Sequence, residues 1–336
     1  SYTIIRRGQE SVMGFMGKQM LLAGLGFLAM FFMASLDYHR LDWKLLLALV
    51  PMVLILNILP RLIGTPVNGA YRWIDLGFTT LQPSEIAKYF IAILAARLMT
   101  FPETTPKRTV LFRYATVWFF VAVFVFVIAR VQSNLSTSAI LAFSAFVVIV
   151  VSNAPLIWSL IPVAVGGLTG VFMIISTGYR TDRIMGFLNP FSDPNGKTLQ
   201  LVQSLYALST GGIVGRGLGN SRFKAFWLPY AENDFIFAII AEELGLIGGL
   251  ATIAAFAFLV FTGLRIGRQA KDGYGRLLAV GITTIIGIQA ALNMAVVMGA
   301  FPVTGVPLPF ISAGGTSMIV NLAAMGILLN ISKQKR

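Results

Sequence analysis

The amino-acid sequence predicts an all-α polytopic membrane protein, and two observations predict this class. Hydrophobic residues make up 57% of the chain, charged residues make up only 12%, and the mean hydropathy is +0.80. A soluble globular protein has about 25% charged residues. In addition, apolar runs of membrane-spanning length alternate with short turns along most of the chain, which is typical of a bundle of transmembrane helices.

The apolar runs predict nine transmembrane helices. They cover residues 18–36, 44–63, 84–99, 110–130, 135–152, 155–177, 235–266, 277–299 and 312–331. The seventh is long enough to cross the bilayer with tilt and to project from it. We expect one integral membrane domain over residues 1–336, interrupted by one large extracytoplasmic loop at residues 178–234.

The basic residues predict the orientation of these spans. Half of the 26 Lys and Arg residues belong to the turns after the first, third, seventh and last spans: Arg40, Lys44, Arg97, Lys107, Arg108, Arg113, Arg265, Arg268, Lys271, Arg276, Lys333, Lys335 and Arg336. The short turns on the opposite side hold Arg61, Arg72 and Arg130. The positive-inside rule therefore makes the first side cytoplasmic and places the 178–234 loop outside. An odd number of spans then puts Ser1 outside, so we expect a further span before it.

Composition also excludes several classes of function. The chain has no cysteine and a single histidine, His39, which excludes disulfides and thiolate catalysis and argues against a histidine metal site. The formal net charge of +13 suggests nucleic acid as a partner. However, Lys and Arg lie mostly at span ends, where they orient the protein and meet anionic lipid headgroups. We therefore expect membrane lipid, and no nucleic acid, as a partner.

Two pairs of residues near the first outer loop have alternative interpretations. Glu85 and Lys88 are three residues apart and share a helix face just inside the membrane boundary. A buried ion pair costs desolvation, so it either locks two helices together or holds Lys88 toward a phosphate in a cavity. Arg72 and Trp73 are either an interfacial anchor or the lining of a groove for a lipid-linked anionic headgroup.

The predicted 178–234 loop begins with a cationic patch that contains Arg180 and Arg183, and a short helix is expected at residues 203–208. A glycine-rich stretch follows at residues 211–219. Successive amides in such a turn can cradle phosphate. No strand precedes it and no Lys-Ser/Thr pair ends it, so a nucleotide site is excluded. We expect a flexible re-entrant loop instead.

Asp234 stands immediately before the apolar start of the seventh span. A carboxylate at the boundary between water and hydrocarbon suits a general base. An acidic residue at a helix N-terminus also favours the helix dipole and needs no chemistry. The spacing leaves both interpretations open.

Glu242 and Glu243 lie two turns deeper in the same span. Two consecutive carboxylates do not share a helix face, so at least one of them should meet a polar partner such as Gln289 or Asn293. This pattern favours a helix–helix contact over a proton or cation path.

Residues 301–317 are rich in proline and glycine at membrane depth. Their freed backbone groups must be satisfied by protein or by water in a cavity. We therefore expect a broken helix that lines a central cleft. No histidine base is available to Ser312, so a nucleophilic role for Ser312 is rejected and it is kept as a candidate substrate-binding residue.

Four blocks of the chain resemble, in the same order, the signature blocks of the SEDS family (shape, elongation, division and sporulation), which includes FtsW, RodA and SpoVE. These blocks are residues 68–88, 203–219, 228–245 and 302–317. The similarity covers nearly the whole chain, and the sequence of residues 68–77 is closer to FtsW or SpoVE than to most RodA sequences. The resemblance implies ten spans with both ends cytoplasmic. The family's loop aspartate falls on Asp234, and its Glu and Lys after Gln-Pro-Ser fall on Glu85 and Lys88.

The resemblance further implies a peptidoglycan glycosyltransferase of the bacterial cytoplasmic membrane that polymerises lipid II at the outer face, during cell division or elongation. Asp234 would take the proton of the acceptor hydroxyl in an inverting displacement that releases undecaprenyl diphosphate. Candidate cations for the leaving group are Lys88, Arg72, Arg180 and Arg183, and Mg2+ or Mn2+ are candidate ions. The implied partners are a class B penicillin-binding protein and, for an FtsW-type member, divisome regulators.

The chain departs from the family pattern at three places. Asn134 stands where many members have an aspartate, so a second family carboxylate is missing there. Residues 230–233 read Tyr-Ala-Glu-Asn in place of Glu-Ala-His-Thr, and Glu232 is a candidate for part of the missing charge. Ala313 replaces a frequent tyrosine.

Two other classes of function remain as alternatives. A lipid II flippase or other carrier would use intramembrane charged residues, which here are Glu85, Lys88, Glu242 and Glu243. No internal repeat supports this transport hypothesis. A scaffold that only docks a partner would not need Asp234.

Overall fold

The computed structural model describes residues 12–64, 66, 69–77, 79–102, 104–152, 154–176, 178–194, 196, 198–223 and 232–334. Helices dominate these residues. They are α1 (Val12–Ser35), α2 (Trp43–Ile63), α3 (Pro83–Leu98), α4 (Lys107–Phe126), α5 (Leu135–Val151), α6 (Leu160–Ile175), α7 (Gly178–Leu188), α8 (Leu199–Gly211), α9 (Ile236–Arg268), α10 (Gly273–Val297) and α11 (Gly315–Lys333). Strands β1 (Ile74–Asp75) and β2 (Thr80–Leu81) form a short antiparallel hairpin before α3.

Each of the nine predicted spans coincides with one helix, and the boundaries differ by a few residues. Among the described residues, seven helical stretches are long and apolar enough to cross a membrane: they lie in α1, in α2, in α4 with the π-turn after it, in α6 with the 3-10 turn before it, and in α9, α10 and α11. The other two helices, α3 and α5, have 16 and 17 residues. The protein is therefore an all-helical polytopic membrane protein, and nine crossings remain a prediction.

The predicted loop at residues 178–234 contains regular structure. Helix α7 begins at Gly178, two residues after the described part of the preceding span, and α8 includes the short helix expected at residues 203–208. The intervening Pro190–Ser192 forms a single 3-10 turn. The described residues between 178 and 211 are therefore largely helical.

The chain divides into two compact units, and the first, the α3 unit, comprises Ala23–Leu168, Leu259–Ile286 and the described part of Gly315–Arg336. Helix α3 is its core, because α2, α4, α5 and α11 all contact it. Ala87, Ala92 and Ala96 are fully buried on α3, and such small side chains allow close helix approach. Because protein surrounds α3, it tolerates charged residues that lipid would not.

Polar contacts join several predicted cytoplasmic turns at one end of the α3 unit. The Tyr38 hydroxyl donates to Asp272 Oδ2 over 2.6 Å, and the His39 ring contacts the carboxylates of Asp37 and Asp272 at 2.7 and 2.9 Å. The backbone N–H of His39, followed by its ring, lowers the pKa of Asp37 to about 2. Burial alone would raise the pKa of Asp272, but the Tyr38 hydroxyl, the Gly275 N–H and His39 hold it below its ordinary value.

We expect Asp272→Asn to lower the stability of the purified protein at neutral pH by about 1 kcal/mol, since a charge-assisted hydrogen bond is lost. A carboxylate whose pKa is lower when folded stabilises the fold above its unfolded pKa, about 3.9, and this contribution is lost as the pH falls through the folded pKa. The melting temperatures of the variant and the wild type should therefore converge below about pH 4. Asp193→Asn, at an exposed position, is the control. A gap that persists or widens in acid would contradict the assigned contact.

Candidate functional site

The second unit, the Asp234 unit, comprises Thr169–Phe258, Gly287–Gly314 and the described part of Ser1–Leu22. Its candidate site is the Asp234 turn, residues 232–235, which leads into α9. Phe235 is 1% exposed and anchors this turn, and helix α9 begins at Ile236. The half-buried Asp234 therefore stands two residues before the helix, so its carboxylate is near the helix N-terminus without lying in the first turn.

The Asp234 turn is held by the Pro/Gly segment, residues 302–314, which connects α10 to α11. The Ala313 N–H donates to the Glu232 carbonyl over 2.9 Å, and the Ser312 hydroxyl donates to the Asn233 carbonyl over 2.5 Å. Asn293, on α10, donates to the Asp234 carbonyl over 2.7 Å. The predicted break between two helices is confirmed, and its backbone needs are met in part by this turn.

Gly305 provides the surface next to the Asp234 carboxylate. Its φ is +70°, a conformation that favours glycine, and a Cβ at this position would lie 3.3 Å from Asp234 Oδ2. The Asn293 amide also donates to the Val306 carbonyl over 2.8 Å, one residue further along. The carboxylate therefore lies against bare backbone, and a side chain at residue 305 would crowd it.

Of the two arginines predicted in this unit, Arg183 reaches the Pro/Gly segment. Its Nη1 donates to the Val303 carbonyl over 2.9 Å, two residues from Gly305. Arg180 instead donates to the Met173 carbonyl over 2.9 Å, at the end of α6. The structure thus brings Arg183 to the segment that contacts Asp234 and ties Arg180 to a helix end.

Ser312, predicted to bind substrate, has an internal role in the structure. It is 5% exposed, and its hydroxyl accepts from the Leu308 N–H over 2.8 Å in addition to its bond to Asn233. The hydroxyl therefore both donates and accepts a hydrogen bond, and these two bonds hold the Pro/Gly segment against the Asp234 turn.

Glu242 has polar partners, as expected for at least one of Glu242 and Glu243, but they are not the two residues suggested from the sequence. Its fully buried carboxylate accepts from the Ser221 hydroxyl over 2.5 Å and from the Arg222 N–H over 2.9 Å. Gln289, which was one expected partner, donates to the Pro307 carbonyl over 3.0 Å, and Asn293 contacts the Asp234 turn. Sequence spacing along one helix did not indicate Ser221, because it lies on a separate segment of the chain.

The glycine-rich stretch at residues 211–219 also differs from the expected flexible loop. Helix α9 is interrupted at Gly245, whose φ is +68°, and a Cβ there would collide with the Gly215 nitrogen and the Ile213 carbonyl. The N–H groups of Arg216 and Gly217 donate to the carbonyls of Glu242 and Glu243. These amides are therefore committed to the break in α9 and do not form a phosphate cradle.

The other four candidates lie in the α3 unit. Lys88 Nζ is 2.8 Å from Glu85 Oε2, and the two residues are 0% and 2% exposed. This burial favours the structural interpretation of the pair over a direct phosphate contact. Arg72 donates to the Ser133 carbonyl over 2.8 Å, and its guanidinium lies 5.8 Å from the centre of the half-buried Trp73 ring.

Asn134, where the family often has aspartate, is the N-cap of α5. Its side chain accepts from the Thr137 N–H over 3.2 Å. Asparagine and aspartate cap helices about equally well, so the replacement preserves this structural role. Of the other departures, Tyr230 and Ala231 lie outside the described residues.

The sequence analysis did not identify Asn293 and Gly305 as neighbours of Asp234. The available signals were a polar residue inside an apolar span and a glycine in a proline-rich segment, and neither specifies a partner. Within the described ranges, no three His, Asp or Glu side chains are grouped to hold a metal ion. The described residues therefore provide no ligand set for the Mg2+ or Mn2+ hypothesis.

The fold and this site define a polytopic helical membrane protein with a carboxylate held just before the start of one helix. The predicted orientation places this end of the helix at the outer face of the membrane. The model of the FtsW/RodA/SpoVE family, described as cell cycle protein, matches residues 1–336, so the chain belongs to this family.

Individual relatives agree with this assignment. The chain is 40% identical to stage V sporulation protein E of Bacillus subtilis, covering 96% of this chain and 88% of that protein. It is 36% identical to a probable peptidoglycan glycosyltransferase FtsW of Trichlorobacter lovleyi, covering 95% and 83%. A solved structure from a study of polymerization and crosslinking by a peptidoglycan synthase complex matches with a TM-score of 0.76 at 27% identity, covering 95% and 89%.

We expect Glu242→Ala to lower the stability of the purified protein by about 2–3 kcal/mol, because two buried donors lose their acceptor. Glu242→Gln should cost less than about 1 kcal/mol, since its amide oxygen can accept from Arg222 and its NH2 can donate to the Ser221 hydroxyl. Thermal unfolding in detergent measures both. If the Gln variant is as unstable as the Ala variant, the neutral amide does not replace the carboxylate and the assigned contact is incomplete.

Proposed function

We propose that this protein is a peptidoglycan glycosyltransferase that polymerises lipid II into glycan strands at the outer face of the bacterial cytoplasmic membrane. Family membership and the printed activity of the FtsW relatives support this function. The observation that carries the site assignment is the braced Asp234 turn, whose carboxylate lies against Gly305 while Arg183 binds the same segment at Val303.

In this proposal, Asp234 is the general base. It takes the proton of the acceptor's GlcNAc 4-hydroxyl as that oxygen attacks the anomeric carbon of the donor MurNAc. The new glycosidic C–O bond forms while the bond to undecaprenyl diphosphate breaks, and the configuration inverts in a single displacement. A general base must lie within hydrogen-bond distance of the hydroxyl that loses its proton. A carboxylate whose backbone is held in place by hydrogen bonds is suited to this requirement. No covalent intermediate with the enzyme is needed.

The departing diphosphate develops negative charge, which requires cations. Arg183 is the strongest candidate in the Asp234 unit, because it is held on the Pro/Gly segment. A guanidinium is a permanently charged planar group whose donors match the oxygens of a phosphate. Arg72, beside Trp73, is the candidate in the α3 unit. We assign Arg180 and the Glu85–Lys88 pair to supporting structure rather than to direct substrate contact.

Three of the four residues that suggested transport have structural contacts in the described chain. Glu85 and Lys88 contact one another, and Glu242 accepts from Ser221 and Arg222. These groups therefore hold segments together instead of lining an evident path for a charged substrate. The relatives' names describe synthesis rather than transport.

The proposal includes a partner and a topology. The matched peptidoglycan synthase complex combines polymerization with crosslinking, which supports a class B penicillin-binding protein as the partner of this chain. Divisome regulators follow if the protein acts in division as FtsW does. We further propose that nine helices cross the membrane, that residues 178–234 lie outside, and that the basic turns lie in the cytoplasm, as charge distribution predicts.

Asp234→Asn should reduce polymerisation of lipid II by about a hundredfold to ten-thousandfold, the usual contribution of a general base, while leaving the fold intact. The measurement is glycan polymer formed from radiolabelled lipid II by purified protein together with its cognate transpeptidase. Asp193→Asn, which removes an exposed carboxylate from the same unit, should retain wild-type activity. Near wild-type polymer from Asp234→Asn would end the base assignment. Movement of lipid II across vesicles without any polymer would instead support transport.

A further inference from the structure

Asn293 makes two hydrogen bonds that join separate parts of the Asp234 unit. The residue is 1% exposed on α10, and its Nδ2 donates to the Asp234 carbonyl over 2.7 Å and to the Val306 carbonyl over 2.8 Å. An amide NH2 has two hydrogens, so both of its donors are used. One side chain therefore bridges the Asp234 turn and the Pro/Gly segment.

The bond from Asn293 reaches the chain just before α9. Helix α9 begins at Ile236, and the Ala238 N–H donates to the Phe235 carbonyl over 3.0 Å. Buried backbone carbonyls in irregular segments take their hydrogen bonds from side chains or from other segments. The bond from Asn293 therefore fixes the peptide that follows the Asp234 side chain.

The second bond fixes the surface against which the carboxylate lies. Val306 follows Gly305 directly, and a Cβ on Gly305 would be 3.3 Å from Asp234 Oδ2. The spacing between the Asp234 and Val306 carbonyls is therefore set by one amide nitrogen. Ser312 and Ala313 also bind the turn, but they belong to the Pro/Gly segment itself, whereas Asn293 belongs to a long helix.

The acceptor atom of Asn293 makes no hydrogen bond in the described structure, so the polar contacts of this side chain come from its donors. Its Oδ1 is buried and has no hydrogen-bond partner among the described residues. A buried acceptor without a partner costs stability. An amide at this position therefore carries a penalty that its two bonds to backbone carbonyls must offset.

We propose that Asn293 is a positioning residue for Asp234, which sets the carboxylate against Gly305 at the distance that proton transfer from the acceptor hydroxyl requires. This inference rests on the proposed glycosyltransferase function. Asn293 does not touch the substrate and acts through the backbone of Asp234. Misplacement of a catalytic group by about 1 Å can cost about a hundredfold in rate, so a small shift of this turn has a large effect.

The test compares Asn293→Leu with Asn330→Leu. Asn330 is a matched control because it is also buried on a long helix and its amide donates to a backbone carbonyl, that of Ala34, over 3.0 Å. In the lipid II assay with the cognate transpeptidase, Asn293→Leu should lower kcat about a hundredfold and change KM less than about threefold. Asn293→Leu and Asn330→Leu should lower the melting temperature by similar amounts, but Asn330→Leu should leave kcat within about threefold of wild type.

Hydrogen–deuterium exchange of the peptide that covers residues 232–240 gives a readout independent of activity. Asn293→Leu should accelerate exchange there about tenfold, and Asn330→Leu should leave it unchanged. Unchanged exchange together with a kcat near that of wild type would overturn the proposal, and so would a kcat loss equal to that of Asn330→Leu. If wild-type protein makes no polymer, the proposed function fails, while accelerated or unchanged exchange still decides whether Asn293 holds the turn.

A second variant separates crowding from loss of the bridge. Gly305→Ala keeps both Asn293 bonds but places a methyl group 3.3 Å from Asp234 Oδ2 and strains a backbone φ of +70°. We expect kcat to fall at least about tenfold with little change in the exchange of residues 235–238. Full activity of Gly305→Ala would show that the carboxylate does not need this surface and would contradict the proposed geometry.

Discussion

The Asp234 unit depends on how backbone polar groups are satisfied where neither helix nor sheet provides partners. The Pro/Gly segment and the Asp234 turn are both irregular, and at membrane depth water is not a dependable substitute. Each supplies what the other lacks: the Ala313 N–H and the Ser312 hydroxyl meet the carbonyls of Glu232 and Asn233. Side-chain amides on α10 donate to three further carbonyls, those of Asp234, Val306 and Pro307. Such a network stabilises only one arrangement, because a shift in any member leaves a buried group without a partner.

This constraint explains how the Asp234 carboxylate, the proposed general base, is compatible with a stable fold. Asp234 is two residues outside the helix, so its position is determined by neighbouring carbonyls rather than by helical geometry. Those carbonyls are bound from two directions, by Asn293 and by Ser312. The side chain can then remain half-buried beside Gly305 without being recruited into the core. The fold thus fixes the backbone and leaves the functional group at the edge of the structure.

Several features were predictable because they arise from local physics. Long apolar runs predicted the helices, and proline and glycine at residues 301–317 predicted the break between α10 and α11. Contacts between distant segments were not predictable in this way. Nothing in the neighbourhood of Glu242 indicates Ser221, and Gly245 resembles the many other glycines in apolar helices until its positive φ and the approach of Gly215 are known. Pairing of this kind depends on the tertiary path of the chain.

The burial of α3 also has a consequence for biogenesis. With 16 residues, α3 is about 24 Å long, shorter than the roughly 30 Å hydrocarbon layer, and it carries Glu85 and Lys88. The translocon releases segments into the bilayer according to their free energy of partition into lipid. For a short, charged helix such as α3 alone, this free energy is not strongly favourable. Helix α5, its most extensive neighbour, is synthesised later. We therefore expect α3 to be retained during translation until α5 emerges, so a nascent chain that ends soon after Leu98 should fail to integrate this segment stably.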